Sequence, residues 1–228
     1  MTSSAGETAT RLTATKTSNS AKPVKRRRLS SEARRQEFIS KAVEFFAENG
    51  FESSTRELAR RLGVTQPLLY RYFPSKDDLI SEVYNLVYLK RWRSEWEGLL
   101  ADRSRPVRDR VVEFYQAYTD VVFNRDWMRI FLFSGLKGVD INTRYLKLVR
   151  QRILEPIVRE CRHEAGFAPR DATEREIEYA WVMHGGIFYF GVRKLIYEGA
   201  ESIDDKSFMI EASMDAFIAQ LRVLGDGA

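Results

Sequence analysis

The chain has 228 residues, 44% of them hydrophobic, and a formal net charge of +5, with one cysteine and two histidines. That length holds one large or two small domains with a buried core, while so few thiols and imidazoles exclude a disulfide framework and a structural zinc site, which needs about four ligands. The charge is uneven. Met1 to Ile80 holds 15 Lys/Arg against 9 Asp/Glu and the remainder 22 against 23, so the basic excess lies in the first third, where a phosphate-bearing partner would be met.

Met1 to Asn19 is rich in Ser, Thr and Ala and cannot bury enough surface to offset its ordering entropy. Lys22-Pro23-Val24-Lys25-Arg26-Arg27-Arg28 follows as a basic block, readable as an arm for a DNA backbone or minor groove or as a solvated tail. Residues 1–30 are thus expected to be a disordered basic tail. There is no apolar signal-peptide core and no run near the ~18 apolar residues of a membrane helix, which together with the cysteine count predicts a reducing, cytoplasmic setting.

From Ser31 onward the apolar spacing is helical and no period-two stretch is bounded by hairpin residues, so the fold class is all-α. The first helix carries Phe38, Ala42, Phe45 and Phe46 on one face and stops at Asn49-Gly50. Ser54-Thr55-Arg56-Glu57 reads as a capping box opening a second helix with Leu58, Ala59 and Leu62 inward. Gly63 permits a sharp turn, Val64 plugs it, Thr65 caps a third helix, and Pro67 sits in the first turn, where its missing N–H is harmless. Leu69 and Phe73, four apart, anchor that helix inward. Ser75 and Asp78 form another capping box. Further helices are expected at Lys76 to Leu100, Pro106 to Asn124, Trp127 to Leu136, Asn142 to Glu164 with a kink at Pro156, Thr173 to Glu198 and Lys206 to Leu224.

With Leu69 and Phe73 inward, Gln66, Pro67, Leu68, Tyr70 and Arg71 face outward. Gln pairs with adenine N6 and N7, Arg forks onto guanine, and Leu or Pro meets a thymine methyl. Tyr70 and Lys76 suit phosphates, Thr65 lies at the start of the same helix, and Thr55 and Arg56 reach the backbone and one base edge. The expected DNA-binding set is therefore Thr55, Arg56, Thr65, Gln66, Pro67, Leu68, Tyr70, Arg71 and Lys76.

The window from about Ser31 to Arg91 resembles the DNA-binding domain of the TetR family of bacterial transcription regulators. The matching residues are Phe46-Ala47-Glu48-Asn49-Gly50-Phe51, Thr55 to Ala59, Gly63-Val64, and Leu69-Tyr70-Arg71-Tyr72-Phe73-Pro74-Ser75-Lys76. The resemblance implies that Arg56 and Gln66 read bases and Lys76 holds phosphate. It also implies a division into a helix-turn-helix domain over residues 31–91, with its motif at 54–73, and a helical ligand-binding and dimerisation domain over 92–228. The expected partners are a near-palindromic double-stranded operator, a second copy of the chain and a small-molecule effector. No cofactor, metal or membrane is expected.

Two stripes in the second part are candidates for a four-helix dimer interface or for core: Ile177, Trp181, His184, Phe188, Gly191 and Leu195, and Ile210, Met214, Phe217, Leu221 and Leu224. Crowded aromatics predict a pocket for a flat or greasy ligand, with Tyr115, Trp127, Phe131, Tyr145, Trp181, His184 and Phe188 as its lining. Trp92 and Trp96 are candidates for a hinge. The expected function is a transcription regulator, read as a repressor released by ligand. The alternatives are control by a partner protein or by no ligand, and an all-helical enzyme, for which Cys161, two residues from His163 on one helix, is poorly placed.

Overall fold

The computed structural model describes residues 30–197 and 205–225, so the tail expected over residues 1–30, with its basic block, lies outside the described residues except for Ser30. Among the described residues all regular structure is helical, as predicted. Helix α1 (Ser31–Asn49) is capped by the Ser30 hydroxyl, which accepts from Ala33 N at 3.1 Å, and it buries Phe38, Ala42, Phe45 and Phe46. It stops at Gly50, whose φ of 71° lies in the left-handed region and whose N–H returns to the Phe46 carbonyl. Helices α2 (Thr55–Arg61) and α3 (Gln66–Tyr72) meet at Gly63, with φ of 67°.

Helix α4 (Lys76–Tyr84) does not run on to Leu100. It widens into a π-helical turn at Asn85–Leu89, the helix ends, and α5 (Glu95–Ala101) begins separately. Trp96 therefore lies on a different helix from the one that leaves the helix-turn-helix, buried against Trp92, Phe114 and Tyr118. It is a packed core residue, and the expected hinge at the end of one long helix is corrected to a π turn followed by a break.

Helices α6 (Val107–Val122), α7 (Arg125–Leu136), α8 (Ile141–Val149), α9 (Glu155–Glu164), α10 (Glu174–Leu195) and α11 (Lys206–Gly225) complete the body. Between α8 and α9 the helix continues through a π-helical turn at Arg150–Leu154. The cause is local: Pro156 offers no N–H and its ring crowds the carbonyl four residues back, so the register widens just before it.

One continuous core runs from Phe38 in α1 to Leu221 in α11. The two stripes considered for dimerisation face that core. Ile177, His184, Gly191, Ile210, Met214, Phe217 and Leu221 are buried, and Trp181, Phe188, Leu195 and Leu224 are partly so. Helix α10 is apolar almost all round, so its period could not say which side was inner. The outward side carries Val182, Gly185, Gly186 and Tyr189, and α11 presents Phe208, Ala212, Ala216 and Val223.

The head and body meet at α1 and α7. Arg129 donates Nε to the Ala47 carbonyl at 2.5 Å and Nη2 to the Glu48 carbonyl at 3.3 Å, with its guanidinium 5.2 Å from the Phe133 ring. These carbonyls end α1 and lack intrahelical donors, so a cation there also opposes the negative end of the helix dipole. Lys137 pairs with Glu52 at 2.5 Å, and Arg144 stacks 4.6 Å over Tyr84.

Candidate nucleic-acid interface

Three caps set the reading head. Ser54 Oγ accepts from Glu57 N at 3.2 Å, Thr65 Oγ1 from Leu68 N at 3.4 Å, and Ser75 Oγ from Asp78 N at 3.0 Å. Each contributes about 1 kcal/mol to its helix. The Asp78 carboxylate reaches back to Ser75 N at 2.9 Å and completes the second box, whereas Glu57 turns to Arg60 at 3.5 Å, so the expected box at Ser54 is only half formed.

Leu69 and Phe73 are each only 2% exposed, which fixes the rotation of α3. Its opposite side is open: Pro67, Tyr70 and Arg71 are exposed, Gln66 and Leu68 half-buried, and Arg56 on α2 is exposed beside them. Thr65 is exposed at the start of the helix.

Thr55 differs from its expected place. It is buried, and its hydroxyl sits in a network: Gln66 Nε2 donates to Thr55 Oγ1 at 3.0 Å, and Thr55 Oγ1 lies 3.0 Å from the Tyr70 hydroxyl. An amide nitrogen has two N–H bonds. With one held by Thr55, the other N–H and Oε1 stay uncommitted among the described residues, and these two groups are what a bidentate contact to adenine uses.

Lys76 is also engaged inside the head. Its Nζ donates to the carbonyls of Phe51 and of Ser53, the latter at 3.0 Å. It ties the turn before α2 to the start of α4 and keeps at most one N–H for another partner. The sequence held no sign of either tie, because a backbone carbonyl is an acceptor that any residue supplies.

The residues expected to line a pocket do come together, through direct and shared ring contacts. Tyr115 OH lies 3.1 Å from His184 Nδ1, and Trp181 packs edge-on to His184 at 5.7 Å. Trp127 stacks on Phe131 at 5.5 Å, and both contact Tyr145 and Phe188. Tyr118 links the two groups. Its hydroxyl is 2.5 Å from that of Tyr145, and its ring is 5.9 Å from His184. Burial pushes the Tyr115, Tyr118 and Tyr145 phenols up and the His184 imidazole down to about 4, so all four stand neutral near pH 7.

The cluster is nearly filled. A gap of only about 10 Å³ remains beside Tyr88, Trp92, Tyr118, Trp127 and Tyr145. Trp92 Nε1 is buried near it with no acceptor among the described residues. Cys161 and His163 do not assemble: Cys161 is buried, with burial raising its thiol to about 12, and His163 is exposed. No described helix is long and apolar enough to cross a membrane.

Residues 38–83 match the family described as bacterial regulatory proteins, tetR family. The chain is 26% identical over 182 residues to the HTH-type transcriptional regulator HbdR of Aromatoleum sp. (strain CIB), with 74% of this chain and 78% of that protein covered. Its fold is similar to a TetR-like transcriptional regulator from Rhodococcus sp. RHA1, with a TM-score of 0.63 at 19% identity over 84% of this chain and 99% of the other. It is also similar to a tetR-family regulator from Streptomyces coelicolor, with a TM-score of 0.59 at 18% identity over 87% and 84% of the two chains. A capped helix-turn-helix with its outer face open thus matches the tetR family of bacterial regulatory proteins over α1 to α4, and over most of its length the chain has the fold of TetR-like regulators.

Proposed function

We propose that the protein is a repressor that grips a near-palindromic operator as a homodimer and lets go when a small, largely apolar or aromatic ligand enters its body. The observation that carries the DNA half is the open face of α3, where Gln66 is held by Thr55 with its pairing edge uncommitted and Pro67, Leu68 and Arg71 stand beside it. In this reading Gln66, Arg71 and Arg56 meet base edges, Pro67 and Leu68 meet thymine methyls, and Tyr70 and the N-terminus of α3 at Thr65 meet phosphate. Thr55 and Lys76 position the others.

The dimer half rests on the outward faces of α10 and α11, which pack side by side. Val182, Tyr189, Phe208 and Val223 are each more than half exposed, and a groove of about 430 Å³ between the helices is lined by Tyr179, Val182, Ala212, Ala216 and Gln220. Gly185 and Gly186 let a facing helix come close. Two copies joined there would hold their α3 helices about one DNA turn apart, ~34 Å.

Release runs through α7. Its Trp127 and Phe131 lie in the aromatic cluster, and its Arg129 and Phe133 hold the end of α1. A ligand that displaces Trp127 shifts α7 and with it α1 and the spacing of the heads. A differential affinity of ~3 kcal/mol between the two states changes operator binding roughly a hundredfold. The filled core favours a second reading at this step, control by a partner protein or by none, whereas the orphaned Trp92 Nε1 favours a ligand that brings an acceptor.

Operator selection from random duplexes by the full chain tests the DNA half. Gln66→Ala relaxes preference at one position per half-site, and Arg71→Ala weakens binding about tenfold or more at its own position. If both variants select the same sequence as the parent, α3 is not the reader. For the dimer, Val182→Asp lowers the sedimentation mass toward one chain while helicity stays; a dimer that survives this change and Tyr189→Glu uses another face.

A further inference from the structure

We infer a second small-molecule site at the end of the body away from the reading head, built to hold a phosphoryl group carried by a compound with a flat ring. A hollow of about 380 Å³ opens between the turn after α5, the last turn of α9 and the loop before α10. Arg103, Arg159, Arg162, Arg170, His163 and Phe167 line it, and among the described residues no acidic side chain does. It lies at the N-terminal end of α6, whereas α7, which holds the head, follows the other end. Sixteen residues of helix, about 24 Å, separate the two.

The arginines exceed what the fold uses. Behind the hollow stand two buried carboxylates, Glu160 and Glu176. Glu160 accepts from Arg103 Nε at 2.9 Å and Nη2 at 3.0 Å, and from Arg110 at 3.4 Å. Arg159 stands 3.7 Å from it, too far for a hydrogen bond. Glu176 accepts from Arg162 at 2.6 Å and from Arg170 at 2.8 and 3.2 Å. Arg110 and Arg162, almost fully buried, already neutralise the two acids. Arg103, Arg159 and Arg170 add three further positive charges at the rim, with side chains 52%, 63% and 39% exposed.

The two carboxylates behind them offset the repulsion among these five guanidiniums only in part, and an anion in the hollow would offset the rest. Arg103 keeps its Nη1 uncommitted, Arg170 its Nε, and Arg159 its whole fork, with no hydrogen bond from these atoms among the described residues. Guanidinium forks match phosphoryl oxygens two at a time. Phe167, backed by the Arg162 guanidinium 5.5 Å from its ring centroid, adds a flat apolar wall for a ring. The volume suits a small organic phosphate and is too small for a macromolecular surface.

The test is calorimetric titration of the full chain with inorganic diphosphate and with ADP, at fixed ionic strength and with sulfate as the control anion. We expect one saturable site per chain, tighter for ADP than for diphosphate. Affinity should fall about tenfold or more in Arg159→Glu, remain within a few-fold in Arg159→Lys, and be unchanged in Arg71→Ala. Arg159 is 63% exposed and makes no hydrogen bond to Glu160, so Arg159→Ala should melt like the parent without ligand, and it replaces Arg159→Glu if the added carboxylate beside Glu160 lowers the melting temperature. No saturable heat with either compound overturns the proposal, as does binding that survives Arg159→Glu or that is lost in Arg71→Ala, which would put the anion on the reading face. Equal affinities for ADP and diphosphate remove the ring from the proposal. Operator selection by Gln66 variants concerns the other end of the molecule, so either reading can fail alone.

Discussion

The chain contains two hydroxyl-centred clusters that handle the same chemistry in opposite ways. In the head, Thr55 sits between Gln66 and Tyr70, and the network ends at the surface, with Tyr70 38% exposed and the Gln66 pairing edge uncommitted. In the body, Tyr118 and Tyr145 meet at 2.5 Å and Tyr115 meets His184 at 3.1 Å, all within a shell of rings. The first holds a polar edge facing outward. The second satisfies itself and makes the core specific, because each hydroxyl is compensated for leaving water by its neighbour. The head should therefore lose recognition before stability when its network is cut, and the body the reverse.

The largest effect on the body is expected where helices touch without room for a side chain. A Cβ at Gly191 would lie 2.4 Å from Met128 Cε and 2.5 Å from the Phe123 ring. Met128 can swing its end away, but Phe123 is held against Phe190 with centroids 6.2 Å apart. Gly191→Val should cost about 3 kcal/mol, lowering the melting temperature by roughly 6–12 °C for a chain of this size. Operator affinity of the folded fraction at low temperature should change little. An unchanged melting curve would mean that α10 and α7 have slack between them.

Next comes the tyrosine pair. Tyr118→Phe leaves the Tyr145 hydroxyl buried without its partner and should destabilise by about 1–3 kcal/mol, whereas the double change Tyr118→Phe with Tyr145→Phe removes both polar groups and should recover most of that loss. Chemical denaturation of the two singles and the double measures the coupling. If the double is the sum of the singles, the pair is not the self-contained unit described above.

The same contrast explains what could be read from the residues alone. Ser54, Thr65, Ser75, Pro67, Gly50 and Gly63 act within four residues of themselves, so the helix-turn-helix and its outward face were legible from local chemistry. The grouping of the body's aromatics was legible too, since large rings on helical spacing collect in one core, whereas the pocket expected among them is nearly filled. Other features were not. Arg129 reaches a carbonyl 82 residues away and Lys76 one 25 residues away, and long flexible cations leave no mark of which acceptor they will choose. The inner side of α10 was hidden by its apolar residues on both sides, and the break after α4 by unbroken helical spacing across it. Thr55 is expected at the DNA because it stands with Arg56 at the start of α2; its burial depends on Tyr70 and Gln66 folding over it from α3.

That burial gives the smallest expected effect on stability. Thr55→Val keeps the side chain's shape and removes its hydroxyl. Gln66 and Tyr70, both partly exposed, can turn to water, so the loss should stay under about 1 kcal/mol, below that of Tyr118→Phe. Recognition should suffer more, because Gln66 then samples rotamers in which its amide edge no longer faces a base. Affinity for the selected operator should fall roughly tenfold, while salt-dependent binding to unrelated duplex, set by phosphate contacts, stays where it was. Fluorescence anisotropy on the two duplexes, alongside a melting curve, separates these outcomes. A variant that melts as low as Tyr118→Phe yet keeps its preference would make the Thr55 network a piece of core like the other, and the contrast between the two clusters would be gone.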